Sequence, residues 1–186
     1  MGSRAAGVAA ITAGSLVLAI GAAPAGAGAP IAPPGLATAR LQGSFQLAGR
    51  LTVAKHVVGE RAGQTVLRVW RFTSTCPSGQ CGTVGLTRQR AAASDTLVLT
   101  RRGAGSYSGK GIFFAPLRCA GRVYRRGQKV PFTITVQVTA VTGVGTAAVA
   151  TRVNATYVNR KRINRTRCVA ALGHDSARYH GFLIAS

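Results

Sequence analysis

Acidic side chains are nearly absent. Of 186 residues only Glu60, Asp95 and Asp175 carry a carboxylate, against 24 lysines and arginines. Glycoside hydrolysis by paired carboxylates needs two acids flanking one bond. Here two of the three fall in predicted turns and one in the tail, so no glycosidase is expected. Histidine is equally sparse: His56, His174 and His180. A Ser-His-Asp triad needs side chains that face one another. His174 and Asp175 are chain neighbours, and no G-x-S-x-G elbow occurs. His56 falls on the polar face of a strand, and His180 has no partner that spacing identifies. Three scattered imidazoles do not read as a metal site. The expectation is a non-catalytic protein with no catalytic residue, metal or cofactor.

Long apolar runs are confined to the N-terminus. One cation, Arg4, precedes an uncharged stretch from Ala5 to Ala23, followed by small residues and prolines. Positive end, apolar centre and small-residue cut site are the order of a secretory signal. Ala23-Pro24-Ala25 and Ala25-Gly26-Ala27 both fit an A-x-A site. The competing reading is a retained anchor, since the run is nearly long enough to span a bilayer. No cysteine lies near the cut and no arginine pair precedes the run, so neither a lipobox nor the twin-arginine route is indicated. Residues 1–27 are thus expected to be a signal peptide and residues 28–42, with Pro30, Pro33 and Pro34, a linker. Residues 43–186 form one domain, secreted or otherwise extracytoplasmic, and no later segment is apolar enough to span a membrane.

The positive charge is what the acid scarcity leaves exposed. Twenty of the cations are arginine and four are lysine (Lys55, Lys110, Lys129, Lys161). Loss of Arg4 with the leader leaves 23 cations against three acids, a mature charge of +20. A GC-rich genome favours Arg, Ala and Gly codons together but does not exclude acidic ones. The charge is therefore a physical signal in its own right: such a surface attracts polyanions. Two clusters stand out. Arg122, Arg125, Arg126 and Lys129 fall in a predicted loop, and Arg160, Lys161, Arg162, Arg165 and Arg167 follow a predicted strand ending near Val158.

Four cysteines, Cys76, Cys81, Cys119 and Cys168, form an even set in an exported chain and read as disulfides. Three pairings are open. Cys76–Cys81 would close a turn of four residues, and Cys119–Cys168 would tie the middle of the domain to its tail. The chain-entropy model gives about 2 kcal/mol for the short loop and about 4 for the long one. The long bond would also hold the two basic clusters at one end of the domain. A C-x4-C between strands is not the C-x-x-C of a redox site, and no histidine stands at zinc-ligand spacing.

The remaining pattern has period two. Phe45, Leu47, Leu51, Val53 and Val57 alternate with polar residues, as do Phe132, Ile134, Val136, Val138 and Ala140. Between them lies the stretch Gln64–Leu86. Trp70 and Phe72 set its inner face, since large aromatics gain most from burial, and Arg68 then falls on or near that face. Gly109 and Gly111 interrupt a further strand where a backbone or side chain approaches closely. Seven or eight extended segments with short turns indicate an all-β domain. Consecutive hairpins close most simply into an up-and-down antiparallel β-barrel, with a two-sheet β-sandwich as the alternative. An immunoglobulin sandwich fits less well, because its disulfide joins distant strands.

Trp70-x-Phe72-x3-Cys76-x4-Cys81, the later lone Cys119, and Tyr157-x-Asn159 running through Arg162 to Cys168 resemble uncharacterised exported disulfide-containing β proteins of high-GC Gram-positive bacteria. The resemblance spans most of residues 43–181. It implies compartment and disulfides, and no activity. Lys110-Gly111-Ile112-Phe113-Phe114 echoes an RNA-binding signature, but Ile112 is not aromatic and Phe113 is not small. Phe113 and Phe114 therefore read as core and rim. Asn154 and Asn164 open formal glycosylation sequons that carry no sugar in a bacterial chain.

Two functions fit. One is a secreted non-catalytic domain binding an anionic envelope polymer or extracellular nucleic acid through its Arg-rich loops, without sequence specificity. The other is a lipocalin-like carrier of a small apolar ligand. On the cysteines, non-reducing peptide mapping of the exported protein should recover Cys76 joined to Cys81 and Cys119 joined to Cys168. A Cys76–Cys119 peptide or free thiols would overturn the pairing.

Overall fold

The computed structural model describes residues 35–90, 93–167 and 172–185. The expected signal peptide, the first part of the linker and Cys168 lie outside the described residues. Nine strands follow in order: β1 (Gly43–Lys55), β2 (Thr65–Ser74), β3 (Thr83–Arg90), β4 (Ala93–Gly103), β5 (Ser106–Cys119), β6 (Arg122–Thr142), β7 (Val149–Asn159), β8 (Ile163–Asn164) and β9 (His174–Ala185). The alternating segments form strands because one face of each can be buried while the other meets water. A single 3-10 turn, Gly145–Ala147, is the only helical element among the described residues.

Each of β1 to β6 pairs antiparallel with the next, β7 pairs with β9, and β9 returns to β1. This is a closed eight-stranded up-and-down barrel, and β8 is an additional short strand on β6. The barrel, rather than the sandwich, is the architecture. Closure removes the free sheet edges that an open meander would expose.

The inward residues are apolar: Phe45, Leu47, Trp70, Phe72, Leu86, Leu99, Tyr107, Ile134 and Val136 are almost fully buried. The Phe45 and Phe72 rings meet edge-on at 5.3 Å, and Trp70 lies 5.2 Å from Tyr179. Eight strands enclose a space about wide enough for side chains to fill, and these residues fill it. The outward faces carry Gln46, Arg50, Thr96, Thr100, Arg152 and Asn154, all exposed. Apolar inside and polar outside is the reverse of a membrane-spanning barrel. Among the described residues no helix is long and apolar enough to cross a membrane.

One end of the barrel carries the β2–β3, β4–β5 and β6–β7 turns. The Cys76–Cys81 disulfide closes the first, and Tyr107 donates its hydroxyl proton to the Cys81 carbonyl at 3.3 Å. Residues 35–42, expected to be part of the linker, pack here. Ala39 and Leu41 are fully buried, and the Arg40 guanidinium donates to the carbonyls of Cys76 and Pro77 at 3.0 and 2.9 Å. A stretch rich in Pro, Ala and Gly looks like linker in the sequence, yet its Leu41 supplies a large apolar side chain that caps the barrel mouth.

At the other end β5 and β6 run on past the barrel as a two-stranded ribbon. Its tip is Ala120-Gly121, both at positive φ (47° and 74°), between the paired residues Cys119 and Arg122. Two such residues make the turn type whose twist matches a hairpin. The basic stretch Arg122–Lys129 is therefore strand, not loop. Gly109 and Gly111 behave as expected: a Cβ at the first would run into the Val98 carbonyl and at the second into the Phe132 ring.

Trp70 sits among Phe72, Tyr179 and the β1 side chains. Truncating it leaves a void that a closed barrel cannot collapse around, so Trp70→Ala should cost about 3–5 kcal/mol. Denaturant unfolding measures this. Near-native stability would place the indole's contribution outside the core.

Candidate functional site

All three acids of the chain sit at the ribbon end of the barrel, and two of them, Asp95 and Asp175, are paired with arginine. On the β3–β4 hairpin Arg88 and Asp95 are register partners. Arg88 donates through Nε and Nη2 to Asp95 Oδ2 at 2.8 and 2.6 Å, and Arg90 donates through Nε to Oδ1 at 2.7 Å. The buried Arg88 guanidinium lies 3.9 Å from the Phe132 ring centre, and that of Arg90 lies 4.1 Å from Phe113. On β9, Asp175 Oδ1 accepts from Arg162 Nε and Nη2 at 3.2 and 3.0 Å, and both side chains are more than nine-tenths buried.

Glu60, in the β1–β2 connection, joins this group. Its Oε2 is buried without a hydrogen-bond partner among the described residues. Burial first, and the Asp175 carboxylate second, push its pKa above the usual glutamate value, against the pull of Arg162 and Arg68. Arg68 is on the inner face, as its place two residues before Trp70 requires. Burial also pushes the Tyr157 and Tyr179 phenols up. The Tyr157 hydroxyl makes no hydrogen bond of full geometry. The paired carboxylates thus serve guanidiniums rather than standing free on either side of an open cleft.

The basic clusters meet on the outside of this end. β8 pairs with β6 through Gln128↔Asn164 and Lys129↔Ile163, and the Arg165 amide donates to the Gly127 carbonyl at 2.8 Å. Arg126 from the first cluster and Arg165 from the second both stack on Phe114, at 4.1 and 4.9 Å from its ring centre. Phe113 packs against the barrel core and Phe114 forms this rim contact. Arg122, Arg125, Arg126, Arg160, Lys161, Arg165 and Arg167 are exposed and Lys129 is half-buried. Arg162 departs from the expected set. It points inward to Asp175, so it anchors the segment and offers no charge to the surface. Cys119 is disulfide-bonded, while its expected partner Cys168 lies outside the described residues.

The other candidates are dispersed. His56 is exposed, at φ 50°, and His180 Nδ1 lies 2.8 Å from Asn154 Oδ1 on the outer face. No group of three or more His, Cys, Asp or Glu side chains could hold a metal among the described residues. The inward pairing of Arg162 was not readable from RKRINRTR. The one available signal was the rarity of acids, since a chain with three keeps them where a buried cation requires one.

Comparison with known proteins returns no match: no family model, no curated protein and no solved structure.

A raised carboxyl pKa means that the folded chain holds the proton more tightly than the unfolded one. Glu60 therefore subtracts stability as pH rises through the ordinary glutamate range and on through its raised value. Glu60→Gln should be more stable than the parent at about pH 7, with the difference vanishing below about pH 4. Thermal melts across that range test it, and a pH-independent offset would show that the carboxylate is not the cause.

Proposed function

We propose that the protein is an exported, non-catalytic β-barrel that binds an anionic envelope polymer or extracellular nucleic acid along its ribbon end, without sequence specificity. The observation that carries this reading is the β6–β8 pairing with Phe114 in contact with both Arg126 and Arg165. It makes one surface of two clusters that lie more than thirty residues apart in sequence. Asp95 and Asp175 are turned to buried or half-buried arginines, so neither offsets the outward charge. Such a surface repels itself and gains by releasing the counterions of a densely charged polymer. The resemblance to exported proteins of Gram-positive bacteria agrees with a polymer found outside the cytoplasm. The carrier alternative has less support, because the barrel interior is filled by its own side chains.

Binding of single-stranded DNA and of polyphosphate, followed by fluorescence anisotropy at several salt concentrations, tests the reading. Replacing Arg122, Arg125, Arg126 and Arg165 by Gln should reduce the slope of log K against log salt for single-stranded DNA by about 3. Replacing the exposed Arg71, Arg101, Arg102 and Arg152 on the rest of the barrel should change it by less than about 1. Arg88 and Arg90 are unsuitable controls, since both hold Asp95. Equal losses from the two sets would mean that net charge alone acts.

A further inference from the structure

The outer face of β5, β6 and β7 changes character at one level. Toward the disulfide end the cross-strand rows are polar. Ser106, Gln137 and Asn154 form one row; Ser108, Thr135 and Thr156 form the next, with the two threonine hydroxyls 2.6 Å apart. One step toward the ribbon the row is Lys110, Thr133 and Val158, and the step after pairs Ile112 with Pro131. Ile112, Val158 and Ile163 are 51, 37 and 43% exposed. With Pro131 they form the floor of a groove of about 800 Å³, and Lys110, Arg160 and Lys161 also line it.

The groove is built into the chain path. On this side of β6, pairing with β7 stops at Thr133 and pairing with β8 begins at Lys129. Pro131 falls in the gap, where its missing N–H leaves no ladder bond unmade. The buried Asn159 side chain donates to the Pro131 carbonyl at 2.6 Å and to the Lys161 carbonyl at 3.1 Å. It fixes the bend that carries Arg160 and Lys161 over the floor. The result is a concave apolar surface with three cations and no acid, in the size range of small-molecule sites.

We infer that this groove binds an individual anionic amphiphile, an acyl chain ending in a carboxylate or phosphate. The chain lies on Ile112, Pro131, Val158 and Ile163, and the anion meets Lys110, Arg160 and Lys161. A polyanion without apolar groups has no use for the floor, and a cationic or neutral amphiphile has no use for the rim. The groove shares Arg160 and Lys161 with the second basic cluster, but its apolar floor and Lys110 lie beside the Phe114 surface and belong to neither cluster.

Isothermal titration of the intact protein with octanoate, decanoate and dodecanoate, each below its aggregation concentration, tests it. Affinity should rise about three- to fourfold per added methylene, with one site per chain. Dodecyltrimethylammonium should not bind. Ile112→Ser combined with Val158→Thr, both solvent-facing, should weaken dodecanoate binding at least about tenfold, with the melting curve checked in parallel. Lys110→Gln should weaken it less. The four ribbon substitutions should leave it unchanged, so a failed polymer experiment and a failed groove experiment are told apart. Absence of binding, lack of chain-length dependence, or indifference to the Ile112 and Val158 changes would overturn the inference. So would a dimer that the same two substitutions dissociate, because a second copy would then be the occupant.

Discussion

The barrel depends on a seam that hydrogen bonds only partly close. β4 and β5 share a ladder over Thr100–Gly103 and Ser106–Ser108, and there the pairing stops. Toward the ribbon end the two strands are held by side chains. Arg88 and Arg90 on β3 grip Asp95 on β4 and lay their guanidiniums on Phe132 of β6 and Phe113 of β5. Each stack contributes about 0.5–2 kcal/mol, more where water is excluded. The ion pair itself need not stabilise the fold relative to an apolar filling, because burying both charges costs nearly what their attraction returns. With Asp95 removed, two guanidiniums would be left against the core without a counter-charge, a defect of about 3–5 kcal/mol.

The same logic explains the composition. A chain with 24 cations could scatter acids over its surface to balance them, and this one does not. Asp95 and Asp175 remain where an arginine is buried, and Glu60 stands beside the second pair. Asp95 and Asp175 serve the interior, Glu60 is half-buried, and the outward charge is left almost wholly positive. Genome composition alone does not predict that arrangement, since it has no means of sparing interior acids while removing exterior ones.

How much of this could be read from the sequence follows from what periodicity reports. Alternation marks a strand with one wet and one dry face, so β1, the aromatic strand β2 and the second half of β6 were evident, and Trp70 and Phe72 are buried as their size demands. The ribbon was not evident. Arg122–Arg126 has no buried face, because both sides of the strand meet solvent there, and the turn at Ala120-Gly121 and the β5 register keep it extended. The capping role of Ala39 and Leu41 was hidden for another reason, since two buried residues in a Pro- and Gly-rich stretch make no periodic pattern. Arg162 was hidden because a lone inward residue in a run of cations looks like its neighbours.

That inward residue links the interior to both outer surfaces. From Arg160 to Arg165 the chain passes out of β7, along the groove, over the barrel mouth and onto the ribbon. Asn159 pins its start to Pro131, and β8 pins its end to β6. Between them Arg162 reaches in to Asp175, and its amide donates to the Gly173 carbonyl at 2.7 Å. Arg160 and Lys161 face the groove, and Arg165 faces Phe114. Two surfaces of different chemistry therefore share one anchor. Both surfaces lie on the outside of the barrel, whose core is filled by its own side chains. The segment that shapes them is held by one of the few acids the chain retains.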